Sequence, residues 1–359
     1  MEDAASLGVL FPAGVDTAEV PSRLELYQRC RKARAETIQE LTRKAGMDIN
    51  GSESSRKLDE MTKFLKLNCV YDEHHSSIQK LRLWEHTEKS MKYWRMPLSF
   101  GPLPGPRQAL GLRPWTNKQS TFVSRAIKFR TSRTLLQNLL PTPSFSFTLP
   151  GSVAYASYVH TSLDQLDWLG GKGYDYIGFF LHDVQYRKKD GSSVKGTFVA
   201  VMWENLVDPI LTGREELGCP KLFCDIEVQQ GPRDYHAEAG WQSAQFLKLE
   251  MHGLRDDVHP KGGNDGGLLF YKYIPATGNP GVADVEYPVH APNSVCRSVK
   301  RSQRAQTASL SLATLSEDTL PTLSRIVERL AEFPTYEIVD ATITEGTDVD
   351  NLSTAYRIE

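Results

Sequence analysis

The 359-residue chain lacks much that would narrow its function at once. No apolar run reaches the ~18 residues that a membrane-spanning helix needs. The opening segment MEDAASLGVLFPAGVD has acids where a secretory signal has bases, and its apolar stretch is short for an h-region. Tyr356 to Glu359 is no lipidation or retention signal, so the expected location is the cytoplasm and no membrane partner is expected. Charge of one sign is missing too: 42 Lys+Arg against 44 Asp+Glu leave a net −2, which gives no field for nucleic acid or an anionic surface. Five cysteines (Cys30, Cys69, Cys219, Cys224, Cys296) form no C-x-x-C and are odd in number, so neither a disulfide framework nor a zinc site is expected. The nine histidines contain no H-x-x-x-H pair. His74 and His75 are adjacent and would diverge on a helix, so they read as polar surface, and no metal is expected. The glycine clusters Gly170-Gly171-Lys172-Gly173 and Gly262 to Gly267 lead into strands. A phosphate cradle needs a helix N-terminus there, so these read as turns.

What is present is ordinary for a globular protein, with 40% hydrophobic and 24% charged residues. Residues 21–46 read as a helix, opened by Pro21, closed by Gly46 and carrying Leu24, Tyr27, Ile38 and Leu41. Further helical stretches are expected from Arg56 to Leu67 and from Ser76 to Tyr93. The character changes at Met96, where MPLSFGPLPGPRQALGLRPW interleaves prolines with glycines as a structural connector. The chain is therefore divided into an N-terminal helical extension, residues 1–95, and a main domain, residues 96–359. Leu24, Tyr27, Leu41, Phe64 and Trp84 are too sparse for a core within the extension, so they are expected to pack on the main domain. In that domain strand-like runs recur at Ser152–His160, Tyr176–Tyr186, Thr197–Trp203, Leu222–Val228, Gln245–Met251, Leu268–Ile274 and Tyr336–Ile343. The turn Lys188-Lys189-Asp190-Gly191 is an Asp-Gly hairpin signal and favours antiparallel pairing. Only two helices, near Ser132–Leu140 and Leu320–Phe333, lie among the strands. The fold class is α+β, a large antiparallel β-sheet or barrel with few helices.

One stretch carries chemistry: Gly213-Arg214-Glu215-Glu216-Leu217-Gly218-Cys219-Pro220-Lys221-Leu222-Phe223. It places one lysine in an apolar run behind a proline. Such a lysine either snorkels, pairs with an acid such as Glu215 or Glu216, or loses its proton and becomes a nucleophile for carbonyl carbon. The G-R-E followed six residues later by lysine resembles the Schiff-base motif of the acetoacetate decarboxylase superfamily. In order along residues 96–359, further stretches are similar to that family: Phe129-Arg130-Thr131, Leu139-Leu140-Pro141, Trp168 to Tyr174, Val194-Lys195-Gly196, Trp203-Glu204-Asn205, Asp208-Pro209-Ile210, Tyr271 to Pro275 and Phe333 to Val339.

The resemblance implies a cofactor-free, homo-oligomeric lyase acting on a small carbonyl compound, a β-keto acid or polyketide-like molecule, with Lys221 as the Schiff-base nucleophile. Leu222 stands where the family places a second lysine, so desolvation alone is expected to depress the pKa of Lys221. Tyr176 stands where the decarboxylases carry a pocket glutamate, and is the candidate proton donor. The arginine that receives the substrate carboxylate aligns near Phe122, with Arg125 as a loose substitute. The expected substrate pocket is lined by Phe122, Tyr174, Met202 and Trp203, with Arg214, Glu215, Cys219 and Leu222 around the lysine. Because an iminium serves several bond cleavages, an aldolase, dehydratase or cyclase using the same lysine, or a silent carbonyl-binding protein, are the alternatives. Lys221 is expected to be mostly buried and to line the deepest pocket.

Overall fold

A computed structural model of the chain describes residues 2–13, 15, 17–47, 62, 71–87, 93–100, 102–109, 115, 119–257, 266–292 and 298–358. Two compact units arise, Met1–Leu103 with Leu110–Arg113, and Pro104–Ala109 with Pro114–Glu359.

The first unit is helical: Glu2–Leu10, Val20–Met47 and Glu73–Thr87. Contrary to expectation it has a small core of its own, Leu10, Leu26, Cys30 and Trp84, with Tyr27 packed against it. Leu26 and Cys30 are four residues apart and share a helix face, whereas Leu24 points away and is 49% exposed. The expected burial of Leu24 is thus wrong; Leu41's side chain, Phe64 and nearly all of the Arg56–Leu67 stretch fall outside the described residues. A polar clasp reinforces the packing, since Arg31 reaches Glu2 at 3.0 Å, Asp3 at 2.6 Å and the buried Glu73.

The second unit is built on strands β1 (Thr121–Ser132), β2 (Phe145–Phe147), β3 (Val153–Leu166), β4 (Lys172–Arg187), β5 (Ser193–Glu204), β6 (Lys221–Phe223), β7 (Asp225–Gln230), β8 (Asp234–Trp241), β9 (Ala244–His252), β10 (Arg255–Asp256), β11 (Leu268–Pro275), β12 (Ala283–Ala291), β13 (Ser298–Arg304), β14 (Thr307–Leu312), β15 (Glu337–Thr347) and β16 (Tyr356–Arg357). Twelve of them form one sheet along the path β10-β13-β15-β1-β3-β4-β5-β11-β12-β16, with β2 on β4 and β6 on β5. The other four form the sheet β14-β9-β8-β7. The α+β class holds, but among the described residues the large sheet does not close into a barrel, because β10 and β16 end the path without pairing to each other. It is also not wholly antiparallel: β5 runs parallel to both β6 and β11. The Asp-Gly turn does join β4 to β5 as an antiparallel hairpin, with Arg187 opposite Ser193.

The two faces of the large sheet differ. One packs Ile127, Phe129, Tyr158, Phe179 and Trp203 against the small sheet and the helix Ser324–Ala331. The other carries Phe180, Val199, Met202 and Phe270. Period-two alternation explains the division, since Tyr174 and Tyr176 leave one face of β4 while Asp175 and Ile177 leave the other.

A polar clasp crosses the main core. Tyr235 on β8 lies 2.9 Å through its hydroxyl from Nδ1 of the fully buried His160 on β3, whose Nε2 faces Asp175 at 3.1 Å. Burial holds the His160 pKa below the ordinary imidazole value. The neutral ring thus donates from Nε2 to Asp175 and accepts at Nδ1 from Tyr235. Tyr235→Phe would leave that buried acceptor with only a long approach from Arg125, 3.4 Å. We expect a loss of about 1–2 kcal/mol, read as a lower urea midpoint with an unchanged slope.

Candidate active site

Three short segments position Lys221. The helix Val207–Thr212 follows β5, the π-turn Gly213–Leu217 follows directly, and β6 begins at Lys221. Gly218 ends the turn with φ 76°, and a Cβ there would lie 2.4 Å from that of Lys272, so glycine is required on both counts. Gly213 is required for a different reason: a Cβ on it would sit 2.5 Å from Cε and 2.9 Å from Nζ of Lys221. The lysine stem therefore lies directly on the backbone of the G-R-E motif.

Lys221 is 9% exposed, as expected, and lines a cavity of about 300 Å³ on the second face of the large sheet. Its Nζ donates to the Pro209 carbonyl at 3.1 Å and lies 2.8 Å from Oε1 of Glu204. Glu204 is fully buried, and apart from that ion pair neither carboxylate oxygen has a hydrogen-bond partner among the described residues. Burial raises its pKa above the usual carboxylate value, and the nearby ammonium offsets this only in part. Sequence reasoning missed this role. It took Glu204 only as part of a family motif and placed no carboxylate beside the lysine. The signal was present, since Met202 and Glu204 lie two apart on one strand and so share a face.

Other expectations sort by face. Tyr174, Tyr176, Met202 and Cys219 all line the Lys221 cavity. Tyr176 is directly opposite Glu204 in the β4–β5 ladder, so the phenol and the carboxylate project side by side. Burial, with Glu204 second, raises the Tyr174 phenol well above its ordinary pKa. The Cys219 thiol is pushed up by burial to about 11, so it is a wall and not a thiolate. Trp203 points the opposite way into the main core against Phe246, with ring centroids 5.3 Å apart. Phe122 is buried opposite Gly346, where its ring occupies the space a Cβ would need, and it is absent from the cavity wall.

Arg214 and Leu222 line a separate cavity beneath the helix Ser324–Ala331, and Arg214 donates to the Lys221 carbonyl at 2.9 Å. Arg214 thus fixes the backbone of the lysine. Glu215 lines neither cavity, and its carbonyl accepts from Lys272. Arg125 is on the far face, donating to Gln230 at 2.6 and 2.9 Å and to Ser162 at 2.9 Å.

Two further contributors carried no sequence signal. Arg107, in the proline-rich connector, pairs with Glu216 at 2.6 Å and donates to the carbonyls of Asn351 at 3.0 Å and Thr212 at 3.3 Å. It thereby ties the π-turn to the segment 348–352. That segment places Val349, Asp350 and Leu352 on the cavity wall. Asp348 and Leu352 both have left-handed backbones, φ 62° and 56°, which side-chain-bearing residues adopt at a cost. Among the described residues no group of His, Cys, Asp and Glu is arranged to hold a metal ion.

Comparison with known proteins agrees with this architecture. No curated protein is a significant match to the chain. A solved acetoacetate decarboxylase superimposes with TM-score 0.53 at 14% identity, over 75% of this chain and 95% of that one, which shows the shared fold. Two more distant structures are an acetoacetate decarboxylase from Legionella pneumophila, at TM-score 0.47, 18% identity and 69% and 96% coverage, and the enduracididine biosynthesis enzyme MppR complexed with pyruvate, at 0.47, 11% and 68% and 92%. The acetoacetate decarboxylase (ADC) family profile matches residues 95–346, well over half of the sequence, and the chain belongs to that family.

Proposed function

We propose that the protein is a Schiff-base lyase acting on a small carbonyl compound, of the β-keto acid or polyketide-like kind, with Lys221 as nucleophile. The observation that carries the reading is the buried Lys221 amine, on the wall of a cavity and 2.8 Å from a buried carboxylate. An ammonium must lose a proton before it attacks carbon, and Glu204 is in position to take it. Burial makes the Glu204 carboxylate a better proton acceptor than an exposed one, which eases that transfer.

Attack on the substrate carbonyl then gives a carbinolamine, and loss of water gives the iminium. The Pro209 carbonyl and the Gly213 backbone hold the lysine stem during these steps. Tyr176, beside Glu204, supplies a hydroxyl that can protonate the leaving carbinolamine oxygen. Tyr176→Phe is expected to slow turnover by roughly ten- to a thousandfold while borohydride-trappable adducts persist. Full activity in that variant would reduce Tyr176 to a wall of the cavity. The reading as a whole is tested by incubating the protein with a panel of ketones, aldehydes and keto acids, adding borohydride, and locating the mass increase by peptide mapping. A label on the peptide that contains Lys221 supports it, and absence of label with every carbonyl compound overturns it.

A further inference from the structure

An iminium can drive loss of carbon dioxide or cleavage next to a hydroxyl-bearing carbon, and the cavity's own charges distinguish the two. Decarboxylation requires a carboxylate to be seated beside the reacting carbon. The residue that was the loose substitute for the carboxylate receiver, Arg125, points to the other face of the sheet and is committed to Gln230 and Ser162. Among the described residues no arginine lines the cavity of about 300 Å³; Arg107 lines an adjoining cavity of about 70 Å³ that Lys221 also borders, but it is committed to Glu216 and to the carbonyls of Asn351 and Thr212. Besides His182, whose Nε2 lies 2.9 Å from the Ser157 hydroxyl, the wall carries two carboxylates, Glu204 beside the amine and Asp350 on the segment 348–352. Bringing a substrate carboxylate into this space would place a third negative charge against one lysine in a buried setting, which is unfavourable.

Glu204 adds a positive indication. It is fully buried, and its Oε2 has no donor among the described residues. A buried acceptor without a partner is rare in native proteins, and one facing a substrate cavity is suited to a donor that the substrate brings. Oε1 is already 2.8 Å from Nζ, so a hydroxyl on Oε2 would lie close to the carbon chain attached to that nitrogen.

Resting on the Schiff-base reading above, we infer that the substrate is a β-hydroxy carbonyl compound with no carboxylate beside its reacting carbonyl, and that Glu204 is the base for its retro-aldol cleavage. In this step the iminium forms between Lys221 and the substrate ketone with release of one water, and the proton that Glu204 took from Lys221 replaces the one Tyr176 gives to that water, so Glu204 is again a carboxylate. Glu204 removes the β-hydroxyl proton, the O–H electron pair becomes the new carbonyl, and the Cα–Cβ bond breaks. Its electrons pass to the iminium, giving an enamine on Lys221 and a free aldehyde or ketone. The proton on Glu204 then returns to the enamine carbon, and one water hydrolyses the resulting iminium to release the second ketone. Atoms balance, no redox partner is needed, and the reverse sequence is aldol addition.

The test compares diacetone alcohol, an uncharged β-hydroxy ketone, with acetoacetate on the full chain. The expected result is catalysed release of acetone from diacetone alcohol, a borohydride adduct on Lys221, and carbon dioxide release from acetoacetate no faster than the uncatalysed rate. Glu204→Gln should form the adduct more slowly, because the group that takes the lysine proton is gone, and should lose at least about a hundredfold in cleavage of the adduct once formed. Carbon dioxide release that outpaces retro-aldol cleavage, or an adduct with diacetone alcohol that is never cleaved, overturns this inference and leaves the Schiff-base reading intact. Adducts with neither compound, nor with any other carbonyl compound, overturn both. The comparison of the two compounds on the unaltered protein stands even if Glu204→Gln does not fold.

Discussion

Lys221→Arg should abolish borohydride trapping and reduce turnover below detection, a loss of at least about a thousandfold. A guanidinium stays protonated at any accessible pH, so it cannot attack a carbonyl, yet it preserves the positive charge opposite Glu204. Preserving that charge matters for reading the result. Replacement by a neutral residue would strand a buried carboxylate and confound chemistry with folding, since removing one member of a buried pair typically costs about 3–5 kcal/mol. The larger side chain must also find room where the lysine stem already touches Gly213. Circular dichroism and thermal melting should therefore accompany the assay. A folded Lys221→Arg protein that still forms adducts or turns over would exclude Lys221 as the nucleophile.

Gly213→Ala is expected to be nearly as damaging to activity while sparing the fold. The added methyl carbon would sit 2.5 Å from Cε, 2.6 Å from Cδ and 2.9 Å from Nζ of Lys221, well inside contact distance. What yields is the end of a flexible side chain and not the sheet, and the φ of Gly213, −67°, is one that alanine adopts readily. The amine is then pushed away from Glu204 and from the Pro209 carbonyl. Displacement of a reacting group by about 1 Å can cost about a hundredfold in rate, and that is the loss expected here. The melting temperature should change little. A Gly213→Ala protein with wild-type kinetics would mean that the lysine reacts from a different position.

How far the sequence reveals this site depends on whether a signal is local. The G-R-E-x-x-x-x-x-K spacing marks Lys221 because glycine, turn and lysine are contiguous, and the burial of the lysine followed from its apolar neighbours. Tyr174, Tyr176 and Met202 were legible by strand alternation, and Trp203 was misjudged because its neighbour Met202 was assigned to the same pocket when adjacent residues on a strand face opposite ways. Strands such as β8, β12 and β14 were overlooked, as polar and alanine-rich stretches gain their strand character from partners distant in sequence. Arg125 looked suitable for a carboxylate by proximity in sequence to Phe122, but three positions along a strand reverse the face. Arg107 and Asp350 were invisible for a simpler reason. Each reaches the site from more than a hundred residues away in sequence, Arg107 through its ion pair with Glu216 and Asp350 by lining the same cavity as Lys221.

The segment 348–352 gives the cavity a wall that is independent of its floor. Lys221, Glu204 and Tyr176 belong to hydrogen-bonded strands whose register could not shift without moving the core. Val349, Asp350 and Leu352 belong to none, and are held by Ser120, by Arg107 and by the Leu352 N–H donating to the Asp350 carboxylate. On the proposed Schiff-base reading, chemistry and selectivity would be carried by separable pieces of chain. For protein engineering this suggests a compact library: vary Val349 and Asp350, retain Asp348 and Leu352 or replace them with residues tolerant of a left-handed backbone, and leave the sheet alone. The same lysine could then be offered a succession of differently shaped and charged enclosures.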